Sequence, residues 1–139
     1  MRFVDSNVFL HALLTPRRKL NEEEKKTKEA SKKIVERIEE GEEVSMTAVH
    51  LSEVVNIIES GIGLRKSLGF LAWAITTENI QIYPTTRENY ETSLSTASEK
   101  GISINDAIAY TSMMENNIAE IYSFDKHFNQ LVDIKRVKT

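Results

Sequence analysis

Along this chain the apolar positions change rhythm repeatedly, from short continuous runs to residues spaced three and four apart, and each change marks an element boundary. Phe3 and Val4 form the first short run, which breaks off at Asp5-Ser6-Asn7; residues 8–14 then read as a short helix. Pro16 and the following Arg17-Arg18-Lys19-Leu20 read as a loop. Asn21 and Glu24 have capping-box spacing and open a long charged helix that Gly41 can close. Ala30, Ile34, Val35 and Ile38 give its second half one apolar stripe, whereas residues 22–29 are polar all round and are expected to project or fray as a solvated face.

Residues 43–46 read as a strand, and Thr47 suits the N-cap of a helix over 48–60 whose Val49, Leu51, Val54, Val55, Ile57 and Ile58 form a broad buried face. Gly61-Ile62-Gly63 breaks the chain; a lone pair of glycines at this spacing is a helix break, not a phosphate cradle. The next helix, 64–76, is apolar at Leu64, Leu68, Leu71, Ala72 and Ile75, with Phe70, Leu71 and Trp73 assigned to the core or to a dimer interface. A strand over 80–83 stops at Pro84, helices follow over 86–100 and 104–117, a strand over 120–123, a short helix after Asp125, and a last strand over 133–137. Strands alternating with helices predict an α/β fold with a central parallel sheet of about five short strands and helices on both faces.

The 139 residues fit one domain, 1–139, large enough to bury a substantial core. The absence of cysteine excludes disulfides and thiolate metal sites and suits a reducing, cytoplasmic compartment. Arg2 and Asp5 leave no apolar stretch for a signal peptide, and the apolar run Leu68–Ile75 is far shorter than the roughly 20 residues that span a bilayer. A net charge of −3 argues against gripping nucleic acid through overall positive charge, but not against meeting it through a local basic patch and bound cations.

The candidate chemistry lies in acids at strand and helix ends. Asp5 ends the first strand, where ligand crevices of open α/β sheets form. Glu53 sits early in the helix after the second strand and shares that rim; with Val49 and Ile57 four residues to either side, it is aimed among apolar neighbours, where a carboxylate needs a metal or a donor. Asp106 lies near the start of a helix and Asp125 just beyond a strand. Each has a plain structural alternative: Asp5 or Ser6 as an N-cap, Asp106 as the acid of a capping box with Ser103, Asp125 as the cap of a short helix. Together, several carboxylates in one crevice invite a hard cation such as Mg2+ or Mn2+, which activates water and neutralises charge on a phosphate.

Asp5-Ser6-Asn7, Ser52-Glu53-Val54, Asn105-Asp106-Ala107 and Ser123-Phe124-Asp125 with Phe128 resemble the ordered acidic motifs of PIN-domain ribonucleases, over essentially the whole chain. The resemblance implies a PIN-like three-layer fold, Asp5, Glu53 and Asp106 as metal-binding catalytic acids, Asp125 as a fourth, more variable one, and Asn7 and Ser123 as polar support. It also implies metal-dependent hydrolysis of RNA to a 5′-phosphate and a 3′-hydroxyl, and, for small members, a homodimeric toxin of the VapBC type held by an antitoxin partner. The long charged helix over 21–40 is less typical of the family.

Other candidates are weaker. Arg17, Arg18 and Lys19 could meet RNA phosphates or simply form a solvated loop, and the pairs Arg65/Lys66 and Lys126/His127 are similar. His11, His50 and His127 lack metal-site spacing and read as structural or surface residues. A phosphatase of the haloacid-dehalogenase type needs a second Asp where Asn7 stands, and a phosphoacceptor receiver needs an adjacent acid pair. A non-catalytic metal- or RNA-binding module on the same fold is the rival from another class.

Overall fold

The computed structural model describes residues 1–138. Five strands, β1 (Arg2–Val4), β2 (Val44–Thr47), β3 (Ile80–Tyr83), β4 (Glu120–Tyr122) and β5 (Lys135–Val137), form one parallel sheet in the order β3-β2-β1-β4-β5. Six helices connect them: α1 (Ser6–Leu13), α2 (Glu22–Glu39), α3 (Ala48–Ile62), α4 (Leu64–Thr76), α5 (Arg87–Lys100) and α6 (Ile104–Glu115), with a 3-10 turn over Lys126–Gln130. The strand that opens the chain thus lies mid-sheet, and successive connections run outward from it to one side and then to the other. The place where the direction reverses, between the C-terminal ends of β1 and β4, is where such sheets form a crevice.

Alternation along the strands divides the core into two layers. Val4 and Tyr122 pack with Val8, Phe9, Ile34, Val54 and Phe70 under α1–α4, whereas Phe3 and Ile121 face Ala109, Met113 and Phe128 on the other side. The predicted three-layer α/β fold is therefore the observed one. Among the described residues, no helix is long and apolar enough to cross a membrane.

Several boundaries and faces differ from expectation, each for a local reason. Gly61 does not break α3; the helix continues through Ile62 and stops at Gly63, whose φ of +101° favours glycine. α6 ends at Glu115, two residues early, at the left-handed Asn117. The last strand begins at Lys135, because Asp133 is held in a turn, accepting a hydrogen bond from the Tyr110 hydroxyl at 2.5 Å. The first turns of α2 do not fray. The Asn21–Glu24 capping box forms, Arg18 clamps Glu24 through two hydrogen bonds of 2.8 and 2.6 Å, and Lys28 Nζ donates to the carbonyls of His11 and Leu14 at the end of α1. Arg18 is thereby an ion-pair partner in this loop, held by a side chain of α2.

On α4 the buried positions are Ser67, Phe70 and Ala74, while the apolar Leu64, Leu68 and Ile75 are at least half exposed. Phe70 and Trp73, assigned to the core or a dimer interface, stack edgewise on Phe9 in the core. Ile57 of α3 is likewise 40% exposed, outside the buried face predicted for it.

Candidate metal centre

Each acid is placed by the element that precedes or follows it. The β1–β4 ladder extends to the Asp5 amide, which donates to the Tyr122 carbonyl at 2.9 Å, so the Asp5 side chain emerges at the crevice. Its Oδ1 accepts from the Ser6 amide at 2.8 Å, and its Oδ2 accepts from the Ser123 hydroxyl at 2.7 Å. Ser123 Oγ in turn accepts from the Asp125 amide at 3.0 Å, so one hydroxyl links the ends of β1 and β4. Asn7 Oδ1 receives the Phe124 amide at 3.4 Å and steadies the same loop.

Thr47 caps α3, as expected, and two turns of helix bring Glu53 to the rim. The Asn105 side-chain amide donates to Glu53 Oε2 at 2.8 Å, which ties α3 to the start of α6. Asp106, next along α6, gives its backbone amide to Ser103 Oγ at 3.2 Å. The Ser103 hydroxyl caps α6 through the Asp106 amide, and no reciprocal bond from the Ser103 amide to the Asp106 carboxylate closes a capping box there. Asp125 caps the 3-10 turn through the His127 amide at 2.9 Å.

Asp5, Asn7, Glu53, Asp106 and Asp125 all line one cavity of about 650 Å³; Ser123 lies fully buried behind it. No Lys or Arg lines this cavity among the described residues. Asp5 is only 7% exposed, and burial, with the charges of Asp106 and Glu53 adding to it, pushes its carboxyl up to about 7 despite the two hydrogen bonds. Burial raises Asp106 as well, and the charge of Asp125 adds to it. His50 also faces the cavity. It is 1% exposed, lies 2.6 Å from Thr47 Oγ1 through Nδ1, and burial lowers it to about 4, so it is neutral at pH 7.

His127, read from the sequence as a structural or surface residue, stands beside two of the acids. His127 brings Nδ1 to 3.3 Å from Asp125 Oδ1, and single ligand atoms of Asp106, Asp125 and His127 lie within 4.8 Å of one another. The signal was the capping offset: an Asp that caps a turn through the amide two residues on also brings that residue's side chain close.

The donor set suits a hard divalent cation. It consists of carboxylate oxygens, with two hydrogen bonds occupying only part of the acceptor capacity of Asp5. Carboxylates this close, with no facing Lys or Arg, leave negative charge that a cation would offset.

The family model described as PIN domain matches residues 2–134. No match was found among curated protein sequences. Similar solved structures include Mycobacterium tuberculosis VapC20, a sarcin-ricin loop cleaving toxin, at 16% identity and a TM-score of 0.74, covering 94% of this chain and 95% of that one. VapBC2 from Rickettsia felis, bound to a promoter DNA fragment, aligns at 12% identity and a TM-score of 0.65, covering 98% and 96% of the two chains. A toxin–antitoxin complex from Klebsiella pneumoniae aligns at 13% identity and a TM-score of 0.68, covering 97% and 96%. These likenesses are of fold, and with a family model spanning all but the chain's ends they lead to one assignment: the chain belongs to the PIN domain family.

Proposed function

We propose that this chain is a Mg2+- or Mn2+-dependent endoribonuclease, folded as one unit over 1–139 and acting in the cytoplasm as the toxin of a toxin–antitoxin pair. The observation that carries this reading is the convergence of Asp5, Glu53, Asp106 and Asp125 on one cavity without a facing Lys or Arg. A polyanion enters such a cavity only with cations.

Asp5, Glu53, Asp106 and Asp125 would hold the ion, which supplies a more acidic water and charge neutralisation at the scissile phosphate. The chain's own part is placement. Ser123 fixes Asp5 against β4, Asn105 fixes the rotamer of Glu53, and Asn7 holds the loop that carries Asp125. Fixing the carboxylates before substrate arrives removes reorganisation from the reaction.

Incubating an end-labelled RNA pool with Mn2+ tests the activity. Cleavage by the parent protein, abolished by chelator and by Asp106→Asn, is the expected result. Intact RNA with a folded parent, across metals and RNAs, would instead favour the binding module.

Self-association belongs to the same proposal and draws on the apolar face of α4. Leu64, Leu68 and Ile75 are 57%, 50% and 61% exposed along one side of the helix. Light scattering is expected to give a dimer for the parent and a monomer for Leu68→Glu; a dimer in both would place the interface elsewhere. An inhibitory antitoxin is suggested by the toxin–antitoxin complex from Klebsiella pneumoniae, and adding a candidate antitoxin to the cleavage assay tests it.

A further inference from the structure

A second groove, of about 530 Å³, adjoins the acid cavity. The two share Glu53 and Asn105, the pair joined by the 2.8 Å hydrogen bond, so the second groove begins where the first one ends. One face of α3 forms its floor with Ser52, Asn56 and Ile57, and Tyr90, in the first turn of α5, forms the opposite wall. Ile57 and Tyr90 are 40% and 45% exposed. Neither exposure serves the core: α5 buries only Ser93, and Ile57 departs from an otherwise apolar buried face.

We infer that this groove is a nucleobase subsite for single-stranded RNA, in which a base next to the scissile phosphate stacks on Tyr90. The inference rests on the ribonuclease reading for its choice of ligand, and the groove's chemistry narrows which part of the ligand fits. No Lys or Arg lines the groove among the described residues, and Glu53 stands at its shared rim, so a phosphate has no counter-charge there. An uncharged, flat, partly polar group does fit. The ring of Tyr90 and the side chain of Ile57 offer apolar contact to a base face, and the exposed Ser52 and Asn56 offer donors and acceptors to its edge or to a ribose hydroxyl. A base reaches such a groove only when unpaired, which selects single-stranded over double-stranded RNA. Phosphates then follow the carboxylates and their cations while an adjacent base is held to one side.

The experiment measures binding separately from cutting. Fluorescence anisotropy with fluorescein-labelled oligouridylate in Mn2+, on the Asp106→Asn background, compares Tyr90 with Tyr90→Ala and Tyr90→Trp. Tyr90→Ala is expected to bind roughly ten- to a hundredfold more weakly. Tyr90→Trp, which keeps an aromatic face, is expected to bind within a few-fold of the Tyr90 protein, and a duplex of the same length to show no dependence on position 90. In the cleavage assay, Tyr90→Ala without the Asp106 change is expected to shift the distribution of cut sites. Cleavage by the parent with binding and cut sites indifferent to Tyr90→Ala would overturn the subsite and leave the nuclease standing. Tyr90-dependent binding without any cleavage would keep the subsite and overturn the nuclease. Failure of the oligouridylate to bind, together with an RNA pool left intact across metals, would overturn both.

Discussion

Asp5→Asn is expected to lower RNA cleavage on the order of a thousandfold while leaving the metal-free protein more stable than the parent at mildly alkaline pH. The loss follows from the place of Asp5, the most buried of the four acids and the one held by donors from both flanking segments. Removing one charged donor from a cation site costs several kcal/mol of stabilisation where charge develops, and each 1.36 kcal/mol is tenfold in rate. The gain follows from burial. The asparagine keeps an oxygen for the Ser6 amide and carries no charge into the crevice. Cleavage rates and chemical denaturation in chelator, run side by side, check both halves. A variant that lost activity together with stability would make Asp5 a structural cap and no more.

The metal-free protein is also expected to lose stability as the pH rises from about 4 to about 7. The carboxyl of Asp5 holds its proton to about 7 in the folded chain against an ordinary value of 3.8. Between those values the folded state binds more protons than the unfolded one, so raising the pH opposes folding. The contribution is fully present below the lower value, is lost through the window, and is flat above it. At 1.36 kcal/mol for each pH unit the loss is on the order of 4 kcal/mol, and the raised Asp106 adds to it with the same sign. Mn2+ is expected to reverse the loss in proportion to RT ln(1 + [Mn2+]/Kd), because it binds the folded state. Urea titrations at several pH values, with and without Mn2+, measure this directly. A flat profile in chelator, or the same profile for Asp5→Asn, would place the unfavourable charge elsewhere.

The parts of the fold that local chemistry dictates were legible in the sequence. The Asn21–Glu24 capping box, the Thr47 cap and the strand breaking at Asp5 each need only neighbouring residues, and each is present. The approach of Asp5, Glu53 and Asp125 to one cavity was legible as well, since parallel strands bring their C-terminal ends to one edge; Asp106 follows a helix, and its place was legible only with the help of the family resemblance. The choice between cap and cavity residue turned out not to be exclusive: Asp5 and Asp125 cap their helical turns and face the cavity at once.

What the pattern could not give is which neighbour covers a given face. Leu64, Leu68 and Ile75 repeat at helical spacing as core residues do, yet Phe70 and Ala74 take the inward side because the aromatic cluster with Phe9 lies there. Ile57 was misassigned for the same reason, since periodicity gives the direction of a face and not its cover. The nearness of His127 to Asp125 was not legible because it depends on a turn of only five residues, too short to leave a periodic signal.

The central position of β1 has a consequence for how the molecule is made. The hydroxyl that holds Asp5 belongs to Ser123, which leaves the ribosome 118 positions after it. At roughly 5–20 residues per second that interval is on the order of ten seconds. Until it has passed, β1 has β2 and no β4 beside it, and the crevice has only one wall. Nascent or prematurely terminated chains therefore carry Asp5 and Glu53 without a formed centre, and the two-walled crevice exists only in molecules synthesised at least as far as Ser123.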